Sequence, residues 1–130
     1  MSDLTHVFAP EGVAPRNGYS HVVWGEGKFI AVSSQVPLDE HGKLVGEGDP
    51  YAQTAQVFEN IRLCLAEAGA TLEDIIKLTF FMTDFSILPA VREARDVVID
   101  KDRGPASTAL KVNGLVRDDI LLQIEAFAVA

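Results

Sequence analysis

The residues that could do chemistry in this chain are few, and several familiar chemistries are missing from it. The three histidines, His6, His21 and His41, are widely spaced, and no Cys or His pair has the spacing of metal ligands, so no metal site is expected. Cys64 is the sole cysteine and has no histidine at an informative location; with no G-x-S-x-G elbow either, a nucleophilic serine or cysteine enzyme finds no support. Phosphate-loop and dinucleotide fingerprints are absent, and no cofactor is expected. What stands out instead is a terminal apolar run, Ile120 to Val129, interrupted by Gln123 and Glu125. On a strand, Leu121, Gln123, Glu125 and Phe127 share one face and Ile124, Ala126 and Ala128 the other, so the amide and the carboxylate need partners or water wherever that first face is covered.

The elements that would position these groups can be read from spacing. Leu4 to Phe8 reads as a short strand, followed by an irregular connection marked by Pro10, Gly12 and Pro15. Two β-rich runs follow, Tyr19 to Trp24 and Lys28 to Ser33, and Gly25-Glu26-Gly27 between them suggests a hairpin. Pro37 to Gly48 reads as an exposed loop. A helix is expected from about Pro50 to Ala68, with Asp49 as N-cap, Pro50 at the first helical position and Gly69 in the left-handed position after its end. Ala55, Phe58, Ile61, Leu65 and Ala68 form its apolar stripe, and Cys64 beside the stripe reads as a packing residue. Ile75 to Thr83 reads as a strand. Leu88 to Asp100 reads as a second helix, with Val91, Ala94, Val98 and Val97 on its buried side. Ser107 to Val112 and Ile120 to Val129 complete the set.

Three strands, helix, strand, helix and two strands do not alternate simply. That order predicts an α+β layer, both helices packed on one face of a mixed sheet, in one domain spanning 1–130. The other face would need cover, and neighbouring subunits are its natural source. With 48% apolar and 23% charged residues the composition is that of an ordinary globular protein, and no apolar run is long enough for a bilayer. Residues 1–10 lack the pattern of a signal peptide, and a cytoplasmic location without membrane partners is expected. The net charge of −8 and the scattered basic residues argue against nucleic acid as a partner.

Several segments, in order, resemble the Rid family (reactive intermediate deaminases, also called YjgF or L-PSP proteins). Ser33-Ser34-Gln35-Val36-Pro37 is similar to the family's S-G-Q-x-P. Gln53, Gln56 and Asn60 precede Leu65-Ala66-Glu67-Ala68-Gly69-Ala70, and Ile75 to Asp84 resembles V-x-K-x-T-V-F-x-x-D. Gly104-Pro105-Ala106 and Ile124 to Val129 resemble P-A-R and I-E-A-x-A-V. The resemblance implies a chorismate-mutase-like homotrimer whose sheets meet in a barrel, with small-molecule clefts between subunits. The family's best-known members hydrolyse enamines and imines such as 2-aminoacrylate to a keto acid and ammonia.

The resemblance also maps the pocket: Tyr19, Ser34, Ser107, Thr108 and Gln123 line it, Arg92 falls where a family asparagine aligns, and Gln123, Glu125 and Ser107 are the candidates for chemistry. Hydroxyls and one amide suit a neutral or weakly charged polar ligand. The departures fall at the chemistry. Ser107 occupies the arginine position after Pro105-Ala106, Gln123 stands where deaminating members carry glutamate, and Ser34 replaces the glycine of S-G-Q. Losing a bidentate pair to a substrate carboxylate costs about 2–5 kcal/mol. Glutamine in place of a general base forfeits roughly 10²–10⁴ in rate. Both changes argue against 2-aminoacrylate as substrate. Arg92 or Arg103 could compensate for the absent arginine by reaching the cleft. The reading is thus a divergent Rid protein that binds a small metabolite and hydrolyses some other enamine or imine; the alternatives are a non-catalytic small-molecule binding module and, against the charge balance, RNA cleavage.

Overall fold

The computed structural model describes residues 3–15 and 18–130. Strands β1 (Thr5–Val7) and β2 (Val22–Trp24) pair antiparallel as a small ribbon. A four-stranded mixed sheet holds β3 (Phe29–Gln35), β4 (Ile75–Met82), β5 (Ala106–Lys111) and β6 (Leu122–Val129) in the order β3-β6-β4-β5. Helices α1 (Pro50–Glu67) and α2 (Leu88–Val98) pack together, and α1 also contacts β3 and β6. β4 and β5 are parallel and joined through α2, whereas β6 is antiparallel to both neighbours.

Helix α1 starts where its cap dictates. The Asp49 carboxylate accepts from the Ala52 N–H at 3.1 Å, Pro50 needs no partner for an N–H, and Gly69 follows the last turn with φ +74°. Its buried face comprises Val57, Phe58, Ile61 and Leu65. Ala55, expected in that stripe, is exposed, and the stripe is rotated towards Gln53, Thr54 and Val57. The rotation follows from a polar tether. Gln53 is buried; its Nε2 donates to the Gly46 and Asp119 carbonyls (3.0 and 3.2 Å), and its Oε1 accepts from the Leu121 N–H (2.9 Å). Asn60 Nδ2 similarly donates to the Val36 and Leu38 carbonyls, both at 2.9 Å. These amides fasten the loops to α1 by pairing their partly buried backbone carbonyls.

The core lies between the helices and one face of the sheet. Leu78, Phe80 and Met82 of β4, Leu122, Ile124, Ala126 and Ala128 of β6, and Ile30 and Val32 of β3 supply that face. The two alanines let α1 approach β6 closely, and Phe58 meets Phe80 edge to face at 6.3 Å between centroids. On the opposite face stand Lys77, Thr79 and Phe81 of β4 with Phe127, Glu125 and Gln123 of β6 directly across.

Three expectations need correcting. β2 and β3 do not form a hairpin: Lys28 exchanges backbone hydrogen bonds with Ala130, and β3 pairs with β6. The glycines between them serve close approach instead, since a Cβ on Gly25 would lie 2.6 Å from Leu4 and one on Gly27 2.7 Å from the Ala130 carbonyl oxygen. In α2, Val91 and Ala94 are buried but Val97 and Val98 are exposed, and Ile99, just past the helix end, takes the core position instead. Leu121 precedes β6 and packs partly on the core, leaving Gln123, Glu125 and Phe127 to form that strand's open face.

Candidate functional site

A cavity of about 380 Å³ lies where edge strand β5 meets α2. Phe80, Leu88, Val91 and Ala109 give it an apolar floor; Tyr19, Arg92, Arg95 and Ser107 supply its polar groups, and Thr108 completes the lining. The register sets Ser107 beside Leu78 and Ala109 beside Phe80, so Ser107 lies on the helix side of β5. Thr108 is on the alternate face, where its hydroxyl accepts from Lys77 Nζ at 2.7 Å and is already engaged.

Tyr19 is held there by its neighbour in sequence. Ser20 is buried, its hydroxyl donates to the Gly104 carbonyl, its N–H donates to the Pro105 carbonyl at 3.1 Å, and it bridges Ala106 in parallel. The strand-start loop is thereby laid along the open edge of β5.

Arg95 was not among the expected site residues. Its side chain is only 12% exposed, with Nε and Nη2 donating to Asp96 Oδ1 at 3.0 and 2.9 Å. Gly18 makes room for it, because a Cβ there would stand 3.1 Å from Arg95 Nη2. Asp96 also pairs with Lys101 at 3.2 Å. Burial alone would push the Asp96 carboxyl up, but the hydrogen bonds and charges of Arg95 and Lys101 prevail and hold it below the usual carboxylate range. A sequence signal for Arg95 existed: Leu88, Arg92 and Arg95 follow the i, i+4, i+7 spacing of one helix face.

Of the residues mapped to the pocket, Tyr19, Arg92, Ser107 and Thr108 come together. Ser34, Gln123 and Glu125 do not join them. Ser34 is on β3, the edge strand opposite β5, and Gln123 and Glu125 are on the open face of β6, across from Phe81 and Thr79. Arg103 lies in the single turn 101–103 and lines a different, very small cavity with Glu73 and Asp100. Of the two arginines considered, Arg92 lines the cavity, beside Arg95, and Arg103 does not. Cys64 is half-buried along an open groove between α1 and the loop after β3, with Gln56 and Asn60. Among the described residues no group of three His, Cys, Asp or Glu side chains is placed to hold a metal ion, and no helix is long and apolar enough to cross a membrane.

Comparison with known proteins agrees with this architecture. The endoribonuclease L-PSP family model matches residues 10–130. A RutC family protein of Pyrococcus abyssi is 35% identical over 123 residues, covering 94% of each chain. The 3-aminoacrylate deaminase RutC of Acinetobacter baylyi is 32% identical over 122 residues, covering 94% of this chain and 95% of its own. Among solved structures, a protein of unknown function from the conserved Rid family, YyfB of Yersinia pestis, superposes with a TM-score of 0.83 at 30% identity, covering 95% of this chain and 97% of that one. The mixed-sheet α+β fold is thus shared, and the chain belongs to the endoribonuclease L-PSP family, the Rid or YjgF proteins.

Proposed function

We propose that three copies of this chain associate and bind a small metabolite in the clefts between them, and that the reaction of the cleft is hydrolysis of an enamine or imine other than 2-aminoacrylate. The observation that carries this reading is the division of the mapped residues between two sides of one sheet. Tyr19, Arg92 and Ser107 line the β5 edge, while Ser34 is on β3, three strand spacings away. At about 4.8 Å per spacing these groups stand on the order of 14 Å apart across the sheet, too far to hold one small molecule. A second copy bringing its β3 and β6 towards the β5 edge of the first unites them. The open face supports association too, since Phe81 and Phe127 lie there without a helix above them.

In such a cleft the enamine takes up a proton at carbon to give the iminium ion. Water adds to the iminium carbon and gives back one proton, the remaining hydroxyl proton passes to nitrogen as the carbon–nitrogen bond breaks, and ammonia leaves the carbonyl product. Gln123 can orient the water but cannot take its proton; Glu125 is the available carboxylate. Ser107 offers a hydroxyl to the ligand's polar end. A cytoplasmic setting suits a chain with one cysteine, and the net charge of −8 favours a small ligand over RNA.

The missing general base at Gln123 favours a second reading, a binding module that retains the cleft without chemistry. Imines generated freshly from neutral, acidic and aromatic amino acids separate the two. Accelerated release of keto acid and ammonia is the expected result, with sedimentation giving a trimer. Binding of product keto acids without acceleration leaves the binding module, and a monomer that binds none of them overturns both.

A further inference from the structure

We propose that this pocket takes a carboxylate-bearing ligand with its acid end turned towards α2, where Arg92 and Arg95 receive it; the cation absent from position 107 is thus supplied by the facing wall. This rests on the reading of the β5–α2 cavity as a ligand site.

The cavity lining contains two guanidinium groups and, among the described residues, no carboxylate. Three residues of helix separate the two arginines by about 4.5 Å along its axis, close enough for both to serve one small anion. Arg92 makes no ion pair among the described residues and keeps its whole donor fork. Arg95 has committed Nε and Nη2 to Asp96 and retains Nη1 for a ligand. Asp96 does not cancel this charge, because it is shared with Lys101: one carboxylate faces two cations. It acts as a positioning residue, fixing the guanidinium against Gly18.

The apolar floor of Phe80, Leu88, Val91 and Ala109 keeps water off one side of the arginines, which strengthens their attraction for an anion. A planar guanidinium fork matches a carboxylate through paired, charge-assisted hydrogen bonds. Ser107 and Tyr19, on the strand side, carry only hydroxyls. The polarity of the site is therefore opposite to that of an arginine at position 107: acid towards the helix, neutral polar end towards the strand. An amine-bearing cation is repelled from the same wall, and the cavity of about 380 Å³ accommodates a small acid.

The test is calorimetric titration of the intact protein with 2-oxobutanoate and with its neutral counterpart, 2-oxobutanamide. The acid is expected to bind at least about tenfold more tightly than the amide. Arg92→Gln, at an exposed position that tolerates change, should weaken the acid by about tenfold and leave the amide unaffected. Arg95→Lys should weaken the acid less, since it retains the charge and loses the fork. Equal binding of acid and amide by the wild type, or unchanged acid binding in both variants, overturns the acid assignment while the pocket reading stands. Binding of neither probe overturns both.

Discussion

The two faces of the four-stranded sheet are built from the same strands, yet they obey different rules. On the helix side, Leu78, Leu122, Ile124, Ala126 and Ala128 are completely buried. On the other side, Lys77, Thr79, Phe81, Gln123, Glu125 and Phe127 alternate with them and are only partly buried, mixing two aromatics, two charges, a hydroxyl and an amide. A face whose only task is to exclude water is uniformly apolar; one that must exclude water in places and keep polar groups in others is mixed. The covered face makes the fold, and the open face keeps its polar groups within reach of water.

The comparison breaks most visibly on its covered side. Phe58→Ala removes a fully buried ring from against Phe80 and should lower unfolding stability by about 3–5 kcal/mol, read from the denaturant midpoint at unchanged slope. A change of less than about 1 kcal/mol would mean that α1 is not what seals that face.

Phe127→Asp places a charge on the open face and sharpens the contrast. The subunit itself should lose only about 1 kcal/mol, chiefly the stacking of Phe127 on Phe29 at 5.6 Å. If the proposed association uses this face, sedimentation should give trimers for the wild type and monomers for the variant. A variant that remains a trimer would remove the open face from the association surface.

The smallest effect extends the comparison to the β1–β2 ribbon, which belongs to neither face. His6 Nε2 is buried with no hydrogen-bond partner among the described residues. Burial first, then the charge of Arg103, lowers its pKa below the ordinary histidine value, with Asp100 opposing. Because the unfolded chain takes up the proton more readily, the stability associated with neutral His6 is complete above about pH 6.5 and is lost as pH falls below it. His6→Gln should flatten the stability profile in that window; an identical profile in both proteins would exclude His6 as its source.

Much of this was legible in the residues themselves. Asp49-Pro50 and Gly69 bracket α1 because capping depends on groups a few bonds apart. The two-residue alternation of β6 separated Ile124, Ala126 and Ala128 from Gln123, Glu125 and Phe127 for the same local reason. The ordered segments from Ser33 to Val129 identified the family, and with it Tyr19, Arg92, Ser107 and Thr108, which share one cavity. Which strand pairs with which was a different matter. Gly25 and Gly27 fit a hairpin turn and a close approach equally well, and only the capture of Lys28 by Ala130 decided between them.

The site divides in the same way. Residue types and helix spacing put Arg92 and Arg95 on one side of α2, but the wall that side would face depended on how α2 crosses from β4 to β5. The distance between Ser34 and Ser107 likewise came from strand order, which sets two edges apart however similar their sequences are to those of a single pocket. Sequence by itself determined the caps, the two faces of β6 and the family, because each depends on neighbours along the chain. Tertiary structure alone decided strand partners, the place of Arg95 and the division of the site, because each depends on segments that meet only after folding.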